Sequence, residues 1–315
     1  MKKEFVSIVV SLYNEELGAL HFAESLFSQI ESIGDTEFEV IWVNDGSTDK
    51  TQQCIDNIVE KHRQPQIHHV SIEFSRNFGH EAAIIAGIDL AQGEAIICMD
   101  SDGQHPPEKI SEMLDKFKSG SDIVLAERIS RKDGGLLKRK FSRLFYKLIN
   151  ALSSFKFNQN TTDFFLISRQ VSTVLKENYR ERTRFIRGFI QSVGFSKSVV
   201  YFSAPKRIYG ESSYSFRSLF KLAFNAIFSF SNKPLRLCIT VASIFIIFTI
   251  VLATYTLFVY IFGETPPSGY TTLILFLSLS FSLLFIIITI LALYFEKVIE
   301  EIRQRPIYIV RNIKR

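Results

Sequence analysis

The stretch ICMDSDGQHPPEKI, residues 97–110, runs from an apolar segment into two aspartates and a glutamine at alternate positions, followed by two prolines. Strand side chains alternate with period two, so Asp100 and Asp102 share one direction while Ser101 points away. Gln104 extends the same row if the backbone stays extended. Acceptor oxygens gathered this way suit a hard divalent cation such as Mg²⁺ or Mn²⁺, which shares its sphere with substrate phosphates. The plainer alternative is a polar turn that caps the helix starting at Pro107.

Upstream, three more apolar runs end in the same manner. Val6 to Leu12 leads into YNEE, Phe38 to Val43 into NDGSTD, and Gln66 to Ile72 into FSRNFG. Helical patterns start near Leu17, Thr51, Gly79 and Pro107, and a fifth strand is expected at Asp122 to Ala126. Nearly continuous apolar strands alternating with helices predict an α/β fold with a mostly parallel sheet covered on both faces. In such a sheet all four polar loops lie at the carboxyl edge, where doubly wound folds bind ligands.

The chain of 315 residues carries a second kind of segment. Leu237 to Phe262 and Tyr270 to Phe295 contain no charged residue, and each exceeds the roughly 20 residues needed to cross a bilayer. With only GETPPSG between them they predict a transmembrane helical hairpin whose flanks share one side. Those flanks hold Lys206, Arg207, Arg217, Lys221, Lys233 and Arg236 before it, and Lys297, Arg303, Arg305, Arg311, Lys314 and Arg315 after it. The positive-inside bias puts both flanks in the cytoplasm, at a cell (inner) membrane crossed twice. The net charge of +5 then reads as attraction to an anionic membrane surface and not to nucleic acid. The start, MKKEFVSIVVSL, imitates a signal peptide but lacks a small-residue cleavage site, so a buried strand is expected there. Cys54, Cys98 and Cys238 are scattered without metal or disulfide spacing, which suits a reducing compartment.

The ordered set SLYNEE, VNDGSTDKT, SRNFGHEAA, DSDGQHPPE, DFFLISR and GESSYS resembles the family 2 glycosyltransferases with a GT-A fold. Within them it is similar to the polyprenyl-phosphate branch, which includes dolichol-phosphate mannose synthases and bactoprenol glucosyltransferases. The resemblance covers almost the whole chain. It implies a Rossmann-like GT-A domain over 1–205, an interfacial segment over 206–235, the hairpin over 236–296 and a basic tail over 297–315. It also implies inverting transfer of a sugar from a UDP- or GDP-linked donor to undecaprenyl phosphate. Asp100 would contact ribose or metal, and Asp102 and Gln104 the metal. Asp45 would accept from a nucleobase imide, although it or Ser47 also suits a helix cap. Tyr13 and Glu15 fit the same base-and-ribose pocket, and Arg76 either holds the diphosphate or pairs with an acidic neighbour. On the acceptor side the apolar stripe Leu137, Phe141, Leu144, Phe145 and Leu148 is flanked by cations, as in a helix lying in the membrane interface or one packed on the sheet. The resemblance places the lipid phosphate there, with Arg128, Lys138, Ser142 and Arg207 as its holders. Asp102, Arg128 and Arg207 are the expected catalytic residues.

Two departures stand out. Gly103 replaces a leucine frequent in relatives and is expected to loosen its loop; Ser213 replaces the usual lysine of the Gly-Glu-Ser-Lys-Tyr-Ser loop, throwing more weight on Arg207. A rival with a hydroxyl acceptor, such as a processive polysaccharide synthase, resembles its kin in a Gln-x-x-Arg-Trp motif. The single tryptophan, Trp42, sits inside the second strand, so that motif is absent. A non-catalytic scaffold that binds a nucleotide sugar is the more distant rival, against which the intact Asp100, Asp102 and Gln104 argue. The sugar is not readable from sequence, and homo-oligomerisation is left open.

Overall fold

The computed structural model of the protein describes residues 4–129, 161–182, 185–203, 233–262 and 269–315. The described residues up to Phe202, together with Arg305–Arg315, belong to one compact unit, and the two long C-terminal helices belong to another.

The first unit opens with β1 (Glu4–Leu12), α1 (Ala19–Glu31), β2 (Thr36–Asn44), α2 (Thr51–Lys61), β3 (Ile67–Phe74), α3 (His80–Leu90), β4 (Ala95–Asp100) and α4 (Lys109–Lys118). These are the four strand–helix pairs expected from sequence, with ends shifted by a few residues. β5 (Ile123–Arg128) starts one residue later than expected and runs two further. β6 (Thr161–Ser168), α5 (Arg169–Asn178), α6 (Ile186–Ser192) and β7 (Lys197–Phe202) follow.

Strand order is β7-β5-β6-β4-β1-β2-β3-β8, where β8 is Val310–Lys314. β1 pairs in parallel with both β2 and β4, β2 with β3, and β5 with β7. β6 is antiparallel to β4 and β5, and β8 is antiparallel to β3. The order in which strands are added reverses between β1 and β4, the crevice where α/β sheets take ligands.

Helices cover both faces. Val6, Ile8 and Val10 of β1 join a core with Phe22, Leu26 and Phe27 of α1, Ile55 and Ile58 of α2, and Ile110 and Met113 of α4. The intervening Val9 meets α3: a Cβ at Gly87 would lie 2.1 Å from Val9 Cγ1, so only glycine permits this approach. Trp42, Phe38, Phe164 and Phe202 are among the largest fully buried side chains.

Residues 297–315, expected to be a basic tail, divide between two structures. The first part continues α8 (Tyr270–Ile302), and Val310–Lys314 becomes an edge strand of the sheet. The expected domain boundary at residue 205 therefore misses the return of the chain to the sheet.

The second unit holds α7 (Lys233–Phe262) and α8, joined through residues 263–268. The segments Leu235–Val259 and Thr272–Ile302 are long and apolar enough to cross a membrane, and almost none of their surface is buried. A core helix of a soluble protein would bury such side chains, so the exposure fits a lipid environment. Phe245 of α7 stacks on Phe276 of α8, with ring centroids 5.9 Å apart.

Candidate active site

The site grows from the carboxyl ends of β1, β2, β3 and β4. Asn14 sits in the left-handed region (φ 53°). Its side-chain oxygen accepts from Thr48 N–H at 2.9 Å, and its own N–H donates to Ser47 Oγ at 3.0 Å. Glu16 and Asp49 exchange backbone-to-carboxylate bonds across the same two loops, Glu16 N to Asp49 Oδ2 at 3.1 Å and Lys50 N to Glu16 Oε2 at 3.0 Å. Tyr13, expected to meet the base, is 45% exposed at this rim, and Glu15 N–H donates to Thr51 Oγ1.

Asp45 lies at the end of β2, only 2% exposed. Its Oδ1 accepts from Phe78 N–H at 2.7 Å and its Oδ2 from Gly79 N–H at 2.9 Å. The carboxylate therefore anchors the loop after β3. Gly46 beside it has φ +62°, and a Cβ there would lie 2.2 Å from the Arg76 carbonyl carbon. Two loops meet backbone to backbone at this point, which leaves the Arg76 side chain on the exposed rim. The Arg76 guanidinium carbon stands 4.0 Å from the Phe78 ring centroid, and Nη1 donates to Asn77 O.

At the crevice itself, Ser11 of β1 and Asp100 of β4 are register partners. Ser11 Oγ donates to Asp100 Oδ1 at 3.1 Å and lies 3.1 Å from His80 Nδ1. His80, the first residue of α3, places Nε2 3.4 Å from Asp100 Oδ1 and 3.2 Å from Asp163 Oδ2. Arg187 of α6 grips Asp163 with two nitrogens, Nε donating to Oδ1 at 2.6 Å and Nη2 to Oδ2. Burial works against charge on the His80 ring, but Asp100 and Asp163 outweigh it and raise its pKa to about 10. Asp163 is likewise opposed by burial, yet Arg187 and His80 hold its carboxyl well below the usual range. Asp100 is thus held in place by a hydroxyl and an imidazolium, with Asp163 and Arg187 behind them.

On the other side of β4, His105 is 2% exposed and stacks on Phe164 at 5.3 Å. Its Nδ1 accepts from Asp100 N–H at 2.9 Å, which requires that nitrogen to be unprotonated. Burial lowers its pKa against the pull of Asp100 and Asp102, so the ring stays neutral. Asp102 Oδ1 accepts from Gln104 N–H at 3.0 Å, closing a turn in which Gly103 takes φ +73°. Gly103, expected to loosen this loop, supplies the left-handed backbone of the turn.

The third member of the expected metal row is differently engaged. Gln104 Oε1 accepts from Arg128 Nη2 at 2.8 Å, so the amide links the acidic turn to the end of β5. Among the described residues no group of three or more His, Cys, Asp and Glu side chains is arranged to hold a metal ion. Two part-exposed carboxylates, Asp100 and Asp102, remain as donors. That set fits a magnesium-like ion, which uses one or two carboxylates plus water and substrate phosphate. Lys138, Ser142 and Arg207, expected to hold the acceptor phosphate, lie outside the described residues, as do residues 206–232 of the expected interfacial segment.

Sequence reasoning named Asp45, Asp100, Asp102 and Arg128, all of which stand on this rim. It missed Ser11, His80, His105, Asp163 and Arg187. Two signals were present: a histidine directly after the helix-opening Gly79, and a carboxylate inside the apolar run TTDFFLIS, which demands a partner.

The family model described as "Glycosyl transferase family 2" matches residues 7–175, more than half of the chain. The chain belongs to glycosyl transferase family 2. This glycosyltransferase is 35% identical over 308 residues to an uncharacterized glycosyltransferase of Synechocystis, covering 98% of this chain and 95% of that one. It is 35% identical over 314 residues to the prophage bactoprenol glucosyl transferase homolog of Escherichia coli, with 98% and 99% covered. The bactoprenol glucosyl transferase of Shigella phage SfV gives 35% over 313 residues, again with 98% and 99% covered. Among solved structures, the glucosyl-3-phosphoglycerate synthase of Mycobacterium tuberculosis in complex with Mn²⁺, UDP-glucose and phosphoglyceric acid superposes with a TM-score of 0.46 at 16% identity, covering 71% of this chain and 78% of the other.

Proposed function

We propose that this glycosyltransferase moves a hexose, with glucose the first candidate, from UDP to a polyprenyl phosphate such as undecaprenyl phosphate, with inversion. The observation that carries the reading is similarity over 98% of the chain to proteins named bactoprenol glucosyl transferase. The two exposed apolar helices support it, because a lipid acceptor needs an enzyme at the membrane.

In the reaction the bond from the anomeric carbon to the β-phosphate oxygen breaks, and a lipid phosphate oxygen bonds to that carbon. UDP leaves with the electron pair. The acceptor oxygen is already anionic near neutral pH, so no strong general base is required. Positioning and charge support of the leaving diphosphate carry the catalysis.

Asp100 and Asp102 would hold Mg²⁺ or Mn²⁺, which when bound neutralises charge on the diphosphate. Ser11, His80, Asp163 and Arg187 are positioning residues that fix Asp100. Tyr13 and Glu15 face the nucleoside, with Asp45 acting through the loop it anchors, and Arg76 faces the diphosphate. Arg128 and Arg207, with Lys138 and Ser142, hold the acceptor phosphate, because guanidinium groups match phosphate oxygens. The catalytic unit and both flanks of the helices lie on the cytoplasmic side of the cell membrane.

The test is a panel of UDP- and GDP-sugars incubated with enzyme-bearing membranes and radiolabelled undecaprenyl phosphate. Labelled lipid should gain one hexose from UDP-glucose and none when undecaprenol replaces its phosphate. Equal use of undecaprenol would overturn the phosphate-acceptor reading. Arg128→Ala should raise the KM for lipid phosphate about tenfold or more while leaving nucleotide affinity within twofold; an unchanged acceptor KM removes Arg128 from that site.

A further inference from the structure

The chain returns from α8 to the sheet and touches the loop that carries Arg76. Ser75 N–H donates to Ile309 O at 2.9 Å, and Arg311 Nη2 donates to Ser75 O at 3.1 Å. Both faces of the Ser75 backbone are therefore occupied by the last residues of the chain. Pairing of β8 with β3 is interrupted at this point. Glu73 faces Asn312 and Phe74 faces Val310, so Arg311 is the extra residue of a bulge. A bulge re-aims a side chain, and here the guanidinium bridges Glu73 Oε1 at 2.9 Å and Ser75 O.

Tyr308 fixes the approach to this contact. Its ring stacks on Phe74 with centroids 5.2 Å apart, and its hydroxyl donates to Asp89 Oδ2 at 2.8 Å. Asp89 also receives Arg180 at 2.9 and 3.0 Å.

We infer that Ile309–Arg311 form a positioning element of the donor site, holding Ser75 so that Arg76 meets the diphosphate without reorganisation. The inference rests on the donor reading above. The loop 75–79 is pinned at its start by Ile309 and Arg311 and at its end by Asp45, and Gly46 packs against its middle. Arg76 and Asn77 are the exposed residues of this loop, and of the two Arg76 carries the charge. A preorganised cation loses less freedom on binding than a mobile one. Merely covering the edge of β3 would need a strand but no bulge aimed at Ser75.

The test uses full-length enzyme in membranes. Arg311→Ala should raise the KM for the nucleotide sugar about five- to tenfold, with kcat and the lipid-phosphate KM within twofold. Arg311→Lys should recover less than half of that loss, since one ammonium cannot span Glu73 and Ser75 as the fork does. Lys314→Ala is the comparison: it breaks the 2.7 Å bond to Asp56 on the same strand, away from Ser75, and should lower the Tm without moving the donor KM. If Arg311→Ala does not accumulate, Tyr308→Phe, which keeps the stacking ring, should raise the donor KM in the same direction. A donor KM unchanged in folded variants, or one that moves equally in Lys314→Ala, overturns the inference. Failure of the wild-type chain to use any nucleotide sugar would strike the donor reading instead.

Discussion

A single carboxylate on the rim does one of two things, and its partners show which. Asp45 has both oxygens committed to backbone N–H groups and builds the loop, whereas Asp102 stands part-exposed in the turn after β4. Asp102→Asn should leave the Tm unchanged and lower transfer by about 100-fold, because a neutral amide weakens both cation binding and charge support. Near wild-type rates for that variant, undiminished by EDTA, would remove the metal assignment. Arg187 makes a different kind of contribution. Its fork compensates Asp163, which is 6% exposed, and removing one partner of a buried pair costs about 3–5 kcal/mol. Arg187→Met should therefore show its loss first in denaturant midpoint, and an unchanged midpoint would mean that His80 alone suffices. The acidic residues were legible in the sequence because each follows an apolar strand. Asp163, His80 and Arg187 were not, because their meeting depends on three elements that no local pattern brings together.

The first four strands and helices could be read directly, since a strand buried on both faces is an unbroken apolar run. β8 could not. VRNIK is short, charged and largely exposed, as edge strands are, and reads as a solvated tail. β6 carries the DFFLISR motif, and its antiparallel insertion between β4 and β5 follows from no helix–strand alternation. The packing of α1 and α2 against β2 and β3 also stores a pH dependence. Trp42 Nε1 donates to His69 Nδ1, His69 Nε2 meets His62 O, and the His62 ring stacks on Phe27 at 4.2 Å. Burial lowers the pKa of both histidines. The unfolded chain takes up those protons near pH 6.5 while the folded one resists, so this contribution is complete above that pH and is lost as pH falls. His80, whose pKa is raised, contributes with the opposite sign over the same range, so the quantity to read is a difference: from pH 7 to 5 the Tm of the wild-type chain should fall relative to that of His69→Gln. Parallel profiles in the two would show that the His69 ring is not held neutral.

At the scale of the whole molecule, the charge distribution predicts an orientation. The flanks of α7 and α8 are rich in lysine and arginine while the joining loop has only Glu264, so both flanks should stay inside. Protease added to sealed, right-side-out cells should leave the family 2 domain intact; its digestion would reverse the topology. One consequence of β8 concerns time and not space. Synthesis is vectorial, so β3 is complete at Phe74 while its edge partner waits until residues 75–309 have been made. Through that interval the nascent sheet has an open edge, a hazard that chains meet with chaperones or early membrane capture. The Ser75 contacts form last as well. On the proposed donor reading, the site would be finished only after both long apolar helices have left the ribosome, and a chain that stalls before them would carry the acidic rim without a fully seated Arg76.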